Sequence, residues 1–112
     1  MIARHWRGWT TPANADAYAA YYQNDVLPHL RQIVGFCGAH LFRRPAGAEV
    51  EFLSVTRFAS LAAVRAFAGG DAYETAVVTP HAQQLLTRFD SQCLHYEIAV
   101  DADGQAQSRG TS

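Results

Sequence analysis

The chain has 112 residues, room for one compact domain that buries roughly two-thirds of the surface its unfolded form exposes. Apolar residues make up 49% and charged residues 17%, which excludes a disordered chain. A formal net charge of −1, with every positive residue an Arg, leaves no basic excess to hold nucleic acid or an anionic membrane. Residues 2–10, IARHWRGWT, alternate and carry two Trp, which predicts a first strand. Thr11-Pro12 then reads as a helix start, since Thr caps free amides and Pro suits the first turn. Tyr18, Tyr21, Tyr22 and Val26 follow at helical spacing. Pro28 lacks an amide donor and is expected to kink or end this helix, leaving LPHLRQIV as a second short piece closed by Gly35.

Residues 36–44 predict strand two and residues 49–58 strand three, joined as a hairpin by a PAGA turn of four or five residues. Ser60 caps SLAAVRAFA, whose Leu61, Val64 and Phe67 share a face, and Gly69-Gly70 end it. DAYETAVV reads as another helical turn or two, and Thr79-Pro80 restarts a helix as HAQQLLTRF. The last strand is QCLHYEIAV, residues 92–100. Residues 1–100 thus form the domain, and residues 101–112, with no apolar anchor, a disordered C-terminal tail.

The order β-α-β-β-α-β is the ferredoxin-like split arrangement of the α+β class: a four-stranded antiparallel sheet, order 4-1-3-2, with both helices on one side. Its other face is not cleanly polar. His5, Arg7 and Trp9 share it with Ala3, and Leu53, Val55 and Arg57 stand opposite. An aromatic patch of that kind marks an interface, so the expected working unit is a homodimer whose sheets face each other. Cys37 and Cys93 form no CxxC; both read as small buried thiols on opposite edges of the sheet, too distant for a disulfide. No apolar run approaches the ~20 residues of a membrane span, and the first residues have no apolar segment typical of a secretory signal. A cytoplasmic location is expected.

The stretches ARHWRGWT, VEFLSVTRFASLAAVRAFAG and RFDSQCLHYEIAV resemble the antibiotic biosynthesis monooxygenase type of dimeric α/β-barrel protein, over residues 1 to about 100. The resemblance implies a cavity between sheet and helices for a small aromatic or quinol-like molecule. It also implies oxygen chemistry with no metal or flavin, in which the substrate's own phenolate reduces dioxygen. Such enzymes place a Trp at the end of helix two and a Tyr six residues later; Phe67 and Tyr73 hold those positions here. Phe67 lacks the indole N–H that would hydrogen-bond an oxygenated intermediate. Haem-degrading relatives use an Asn in strand one and a Trp and a His around helix two. His5, Phe67 or Ala68, and Val77 stand there instead, so haem degradation is not implied.

Among single residues, His81 at a helix N-terminus is either a neutral base for a phenolic proton or an exposed helix-start His. His5 and Arg7 beside Trp9 either bind an anionic oxygen or form a dimer-interface network. Trp6, on the opposite face with Arg4, reads as core. Arg57 is a substrate clamp or an ion-pair partner of Glu97 or Asp90, and Tyr22 belongs to the helical stripe with a place at a cavity mouth. No HxH, HExxH or phosphate-cradling glycine frame occurs, so neither a metal nor a phosphate-bearing cofactor is expected.

The functional expectation is a cofactor-independent monooxygenase-like homodimer, with His81, His5 and Tyr73 catalytic and Arg7, Trp9, Arg57, Phe67 and Tyr22 binding substrate. The alternative is a non-catalytic homodimeric ligand-binding or structural module.

Overall fold

A computed structural model describes residues 1–102; the expected tail lies, beyond residue 102, outside the described residues. The elements are β1 (Ile2–Thr10), α1 (Pro12–Tyr21), a π-helical turn (Tyr22–Val26), α2 (Leu27–Arg31), β2 (Phe36–Ala46), β3 (Glu49–Phe58), α3 (Leu61–Ala68), α4 (Pro80–Leu85), β4 (Arg88–Phe89) and β5 (Leu94–Glu97). The sheet is antiparallel and open, in the order β2-β3-β1-β4, with β5 also paired to β1. This is the expected α+β ferredoxin-like arrangement, with five strands where four were expected. Among the described residues no helix is long and apolar enough to cross a membrane.

Helix starts follow from single side chains. The hydroxyls of Thr11, Ser60 and Thr79 accept from the backbone N–H three residues on, and Pro12 and Pro80 sit in the first turn, where no amide is needed. Gly69 ends α3 at a φ of 86°. Pro28 does not break the first helix. The chain widens into the π turn just before it, with the Leu27 N–H reaching back to the Tyr22 carbonyl, so helix continues to Arg31.

Three further expectations are corrected. The hairpin connection is two residues, not four or five, because β2 runs on through Pro45 and Ala46. Pro45 is tolerated on an edge strand, and Gly47 at a φ of 64° supplies the tight turn. The helix expected over HAQQLLTRF stops at Leu85. Leu86 turns extended and inward, the Thr87 N–H bonds to the Trp9 carbonyl, and Arg88–Phe89 become strand. The last strand, expected over residues 92–100, is shortened to Leu94–Glu97, and Arg88–Phe89 adds a separate short strand on the same edge of β1. Between them the chain bends toward residues 74–76, pairing Thr75 with Gln92, Ala76 N–H with Ser91 and Cys93 N–H with Glu74. DAYETAVV contributes only one 3-10 turn, Gly70–Ala72. The rest is an irregular strap.

Strand parity divides the sheet cleanly. Trp6, Phe52 and Phe58 face the helices. Phe52 joins Ala15, Tyr18, Tyr21, Ala82 and Leu86, while Phe58 joins Tyr22, Leu30, Ala63 and Val64. Among the described residues no helix packs on the other face.

Candidate functional site

Between sheet and helices lies an inner chamber of about 70 Å³, and beside it a wider vestibule of about 350 Å³. Tyr21, Val26, Phe67 and Val77 line both. The chamber's polar wall is Arg4, Tyr22, Ser54, Thr56 and Cys93; the vestibule's is Asp25, His29, Thr79 and His81. The π turn falls at the centre of this region, letting Tyr21 and Tyr22, adjacent in sequence, both turn inward. Tyr21 shares a 2.6 Å hydrogen bond with Thr79, which ties α1 to the cap of α4.

Arg4 organises the closed end. It is 5% exposed, and its Nη1 donates to the Tyr73 carbonyl and to His95 Nε2, its Nη2 to the Thr75 carbonyl. One side chain of β1 thus holds the strap across the cavity. Its guanidinium also lies 5.7 Å from the centre of the Phe67 ring. For His95 to accept through Nε2 the ring must be neutral with its proton on Nδ1. Burial, then the Arg4 charge, hold its pKa below the usual imidazole value. Folding therefore favours the neutral ring. That contribution is full above about pH 6.5, the unfolded value, and is lost as pH falls from there through the lower folded value. Thermal melts at stepped pH between about 8 and 5 should show Tm falling with acid, and His95→Asn should flatten the profile. His5, lowered by burial, supplies a residual slope.

The Tyr22 hydroxyl is buried with no hydrogen-bond partner among the described residues. Burial pushes this phenol up, opposed in part by the hydroxyls of Ser54 and Thr56. Burial likewise raises the Cys93 thiol, with Arg4 opposing. Cys93 is buried, but Cys37 is exposed, contrary to expectation: the β-bulge after Phe36 turns it outward, toward the Gly35 carbonyl.

The residues singled out from sequence separate into three groups. Tyr22 and Phe67 line the chamber, and Phe67 and His81 the vestibule. His81 is exposed, its Nδ1 4.0 Å from Asp25 Oδ2 and its ring 4.9 Å from that of Tyr21. Tyr73 lines neither space; its ring packs edge-on to His95 and under Arg65. His5, Arg7, Trp9 and Arg57 are on the uncovered sheet face, away from the cavity. There Trp9 is sandwiched between the guanidiniums of Arg7 and Arg88, and His5 packs edge-on to Tyr96. The acid Asp90 pairs with Arg7 at 3.1 Å, not with Arg57. Arg57 instead lies across the space that a side chain at Gly38 would fill, and has no ion pair among the described residues. His5 and His40 lie on the sheet face opposite His95. Arg4 is the site residue that the sequence reading passed over as a neighbour of core. The signal was there: a charged residue alternating with Ile2 and Trp6 on the face destined for burial.

The sequence profile of the antibiotic biosynthesis monooxygenase family matches residues 1–79. The chain belongs to that family. No curated protein matches it in sequence. Among solved structures it is similar to Rv0793 from Mycobacterium tuberculosis, at 20% identity and a TM-score of 0.60 over 91% of this chain and 98% of that one. It is also similar to the haem-degrader MhuD from the same organism, solved with two haems in its active site, at 22% identity and a TM-score of 0.58 over 92% and 100%. A putative antibiotic biosynthesis monooxygenase from Bacillus cereus gives 9% identity and a TM-score of 0.65 over 92% and 95%. At these identities the likeness is one of fold.

Proposed function

We propose that this protein binds a small electron-rich aromatic molecule between sheet and helices and oxygenates it without metal or flavin. The observation that carries the reading is the aromatic-walled vestibule with His81 at its rim, set beside a polar chamber. A vestibule of about 350 Å³ is near the lower end for ligand pockets and suits one or two fused rings. His81 takes the phenolic proton, with Asp25 nearby to favour the imidazolium that forms. The phenolate then passes an electron to dioxygen far more readily than the phenol. One oxygen atom ends as a ring carbonyl and the other as water, with all electrons drawn from the substrate. Tyr73 contributes through its carbonyl, which anchors Arg4, and not through its ring.

Haem fits poorly. The macrocycle exceeds a vestibule of about 350 Å³. On the other sheet face Phe42, Leu94 and Tyr96 are 51%, 62% and 50% exposed. We assign that face to a second copy of the chain, with His5, Arg7, Trp9 and Arg57 serving the interface.

Oxygen uptake with a panel of hydroquinones and naphthols tests the activity. Turnover is expected, and His81→Ala should slow it by about a hundredfold, as for loss of a general base. If no member gives uptake above the enzyme-free rate, the oxygenase reading falls and the non-catalytic ligand module takes its place.

A further inference from the structure

The chamber's wall holds donors and no acid. Arg4, the hydroxyls of Tyr22, Ser54 and Thr56, and the thiol of Cys93 line it, with no Asp, Glu or His among its residues. Arg4 carries a full charge while almost wholly buried, and no carboxylate lies within 4.0 Å of it among the described residues. Its three bonded acceptors are two carbonyls and a neutral imidazole, which accept hydrogen bonds from its N–H groups but cancel no charge. Burial keeps Cys93 a thiol, so it supplies no anion either. Buried charges in folded proteins are paired, because an unpaired one forfeits its hydration without return. Here no counter-charge is paired with the guanidinium among the described residues. Of the five guanidinium N–H groups three are engaged, leaving Nε–H and one Nη2–H free among the described residues. The buried Tyr22 hydroxyl, beside those of Ser54 and Thr56 but with no well-aligned hydrogen bond among the described residues, is on the same wall.

We infer that the chamber is an anion site and that the ligand is an aromatic carboxylic acid, its carboxylate held by Arg4 and Tyr22 and its ring in the vestibule. Volume decides the orientation. About 70 Å³ is half of the ~150 Å³ in which a buried apolar cavity admits benzene, so the chamber takes a carboxylate and not a ring. A phenol tip is the weaker occupant. It arrives neutral at physiological pH, with an unperturbed pKa near 10, and no base lines the chamber to ionise it. A carboxylate arrives already charged. With the acid anchored at Arg4, the far side of the ring lies in the space that His81 borders, which makes a hydroxylated aromatic acid the substrate class.

This inference rests on the cavity being a small-aromatic site, and the test separates the two. Fluorine NMR titration with 4-fluorobenzoate and its neutral isostere 4-fluorobenzamide reads both. Wild type should bind the carboxylate about tenfold or more tighter, as for a hydrogen bond to a charged group. Arg4→Gln should abolish that preference while leaving the amide's affinity in place, and Arg4→Lys should keep part of it. The preference should persist in the His29→Asn/His81→Asn double variant, since neither side chain lines the chamber. Equal binding of both probes by wild type overturns the anion site and leaves the aromatic site standing. A preference that survives in folded Arg4→Gln, or vanishes in the histidine variant, also overturns it, the latter even if Arg4→Gln does not fold. Binding of neither probe overturns the aromatic site itself.

Discussion

Replacing Phe58 with alanine is expected to lower the unfolding free energy by about 3–5 kcal/mol, the largest loss any single truncation in this chain should give. Phe58 is the last residue of β3 and is 0% exposed. Its ring packs against Phe36 at 6.5 Å and Phe67 at 5.9 Å, within a cluster that includes Leu30, Val64 and Tyr22. It therefore joins three parts of the fold at one point: the end of the first helix, the start of β2 and the face of α3. Collapse around the vacated space is restricted, since β-sheet backbone surrounds it on one side and two helices close the other. Domains of this size hold only about 5–15 kcal/mol in total, so the variant should be marginally folded. Urea unfolding gives the measurement. A lower midpoint with an unchanged slope is expected, and a loss below about 1 kcal/mol would mean that the cluster is not the core. Because Phe67 leans on Phe58 and lines both ligand spaces, the same change should widen the cavity.

How much of this was legible in the sequence depends on how local each signal is. The three caps at Thr11, Ser60 and Thr79 were readable because a hydroxyl and an amide three residues on need nothing else. Strand parity was readable for the same reason, and it separates Trp6, which packs on the helix side, from Trp9. What failed was anything settled by a distant partner. The separation of β4 from β5 depends on residues 90–93 bending to meet 74–76, a contact with no local signature. Pro28 is expected from sequence to kink or end the helix; the π turn that absorbs it, with the Leu27 N–H bonded to the Tyr22 carbonyl, has no signature in the residue types.

The site shows the same division. His5, Arg7 and Trp9 drew attention as an imidazole, a guanidinium and an indole on alternate positions, and parity does put them together. Parity does not say which face the helices cover, and that decides between cavity and interface. Arg4 has the opposite parity, beside Trp6, whose type predicts core. A buried arginine among core residues is the more informative observation, since such a charge persists only where something compensates it.

The uncovered face carries the second large expected effect. Val55 sits at its centre, in register with His5 on one side and His40 on the other, and two residues from Arg57. In the proposed dimer this strand position meets the partner's sheet. Val55→Lys should then convert dimer to monomer, because a buried unpaired charge costs about 3–5 kcal/mol and two-fold symmetry places two of them in one interface. A lysine is the stringent choice: an aspartate would find Arg57 two residues away, whereas the acids of this face, Glu49, Glu51 and Asp90, are already paired with Arg88, Arg44 and Arg7. Within one chain Val55 is only half-buried, so cooperative unfolding should be retained. Sedimentation velocity across a range of concentrations reads the result. Wild type should run at twice the chain mass and Val55→Lys as a single chain. A wild type that stays a single chain at every concentration would remove the interface and leave Phe42, Leu94 and Tyr96 bare in water. The cavity, walled by one chain's own sheet and helices, would be unaffected, so the aromatic-acid site stands or falls separately from the dimer.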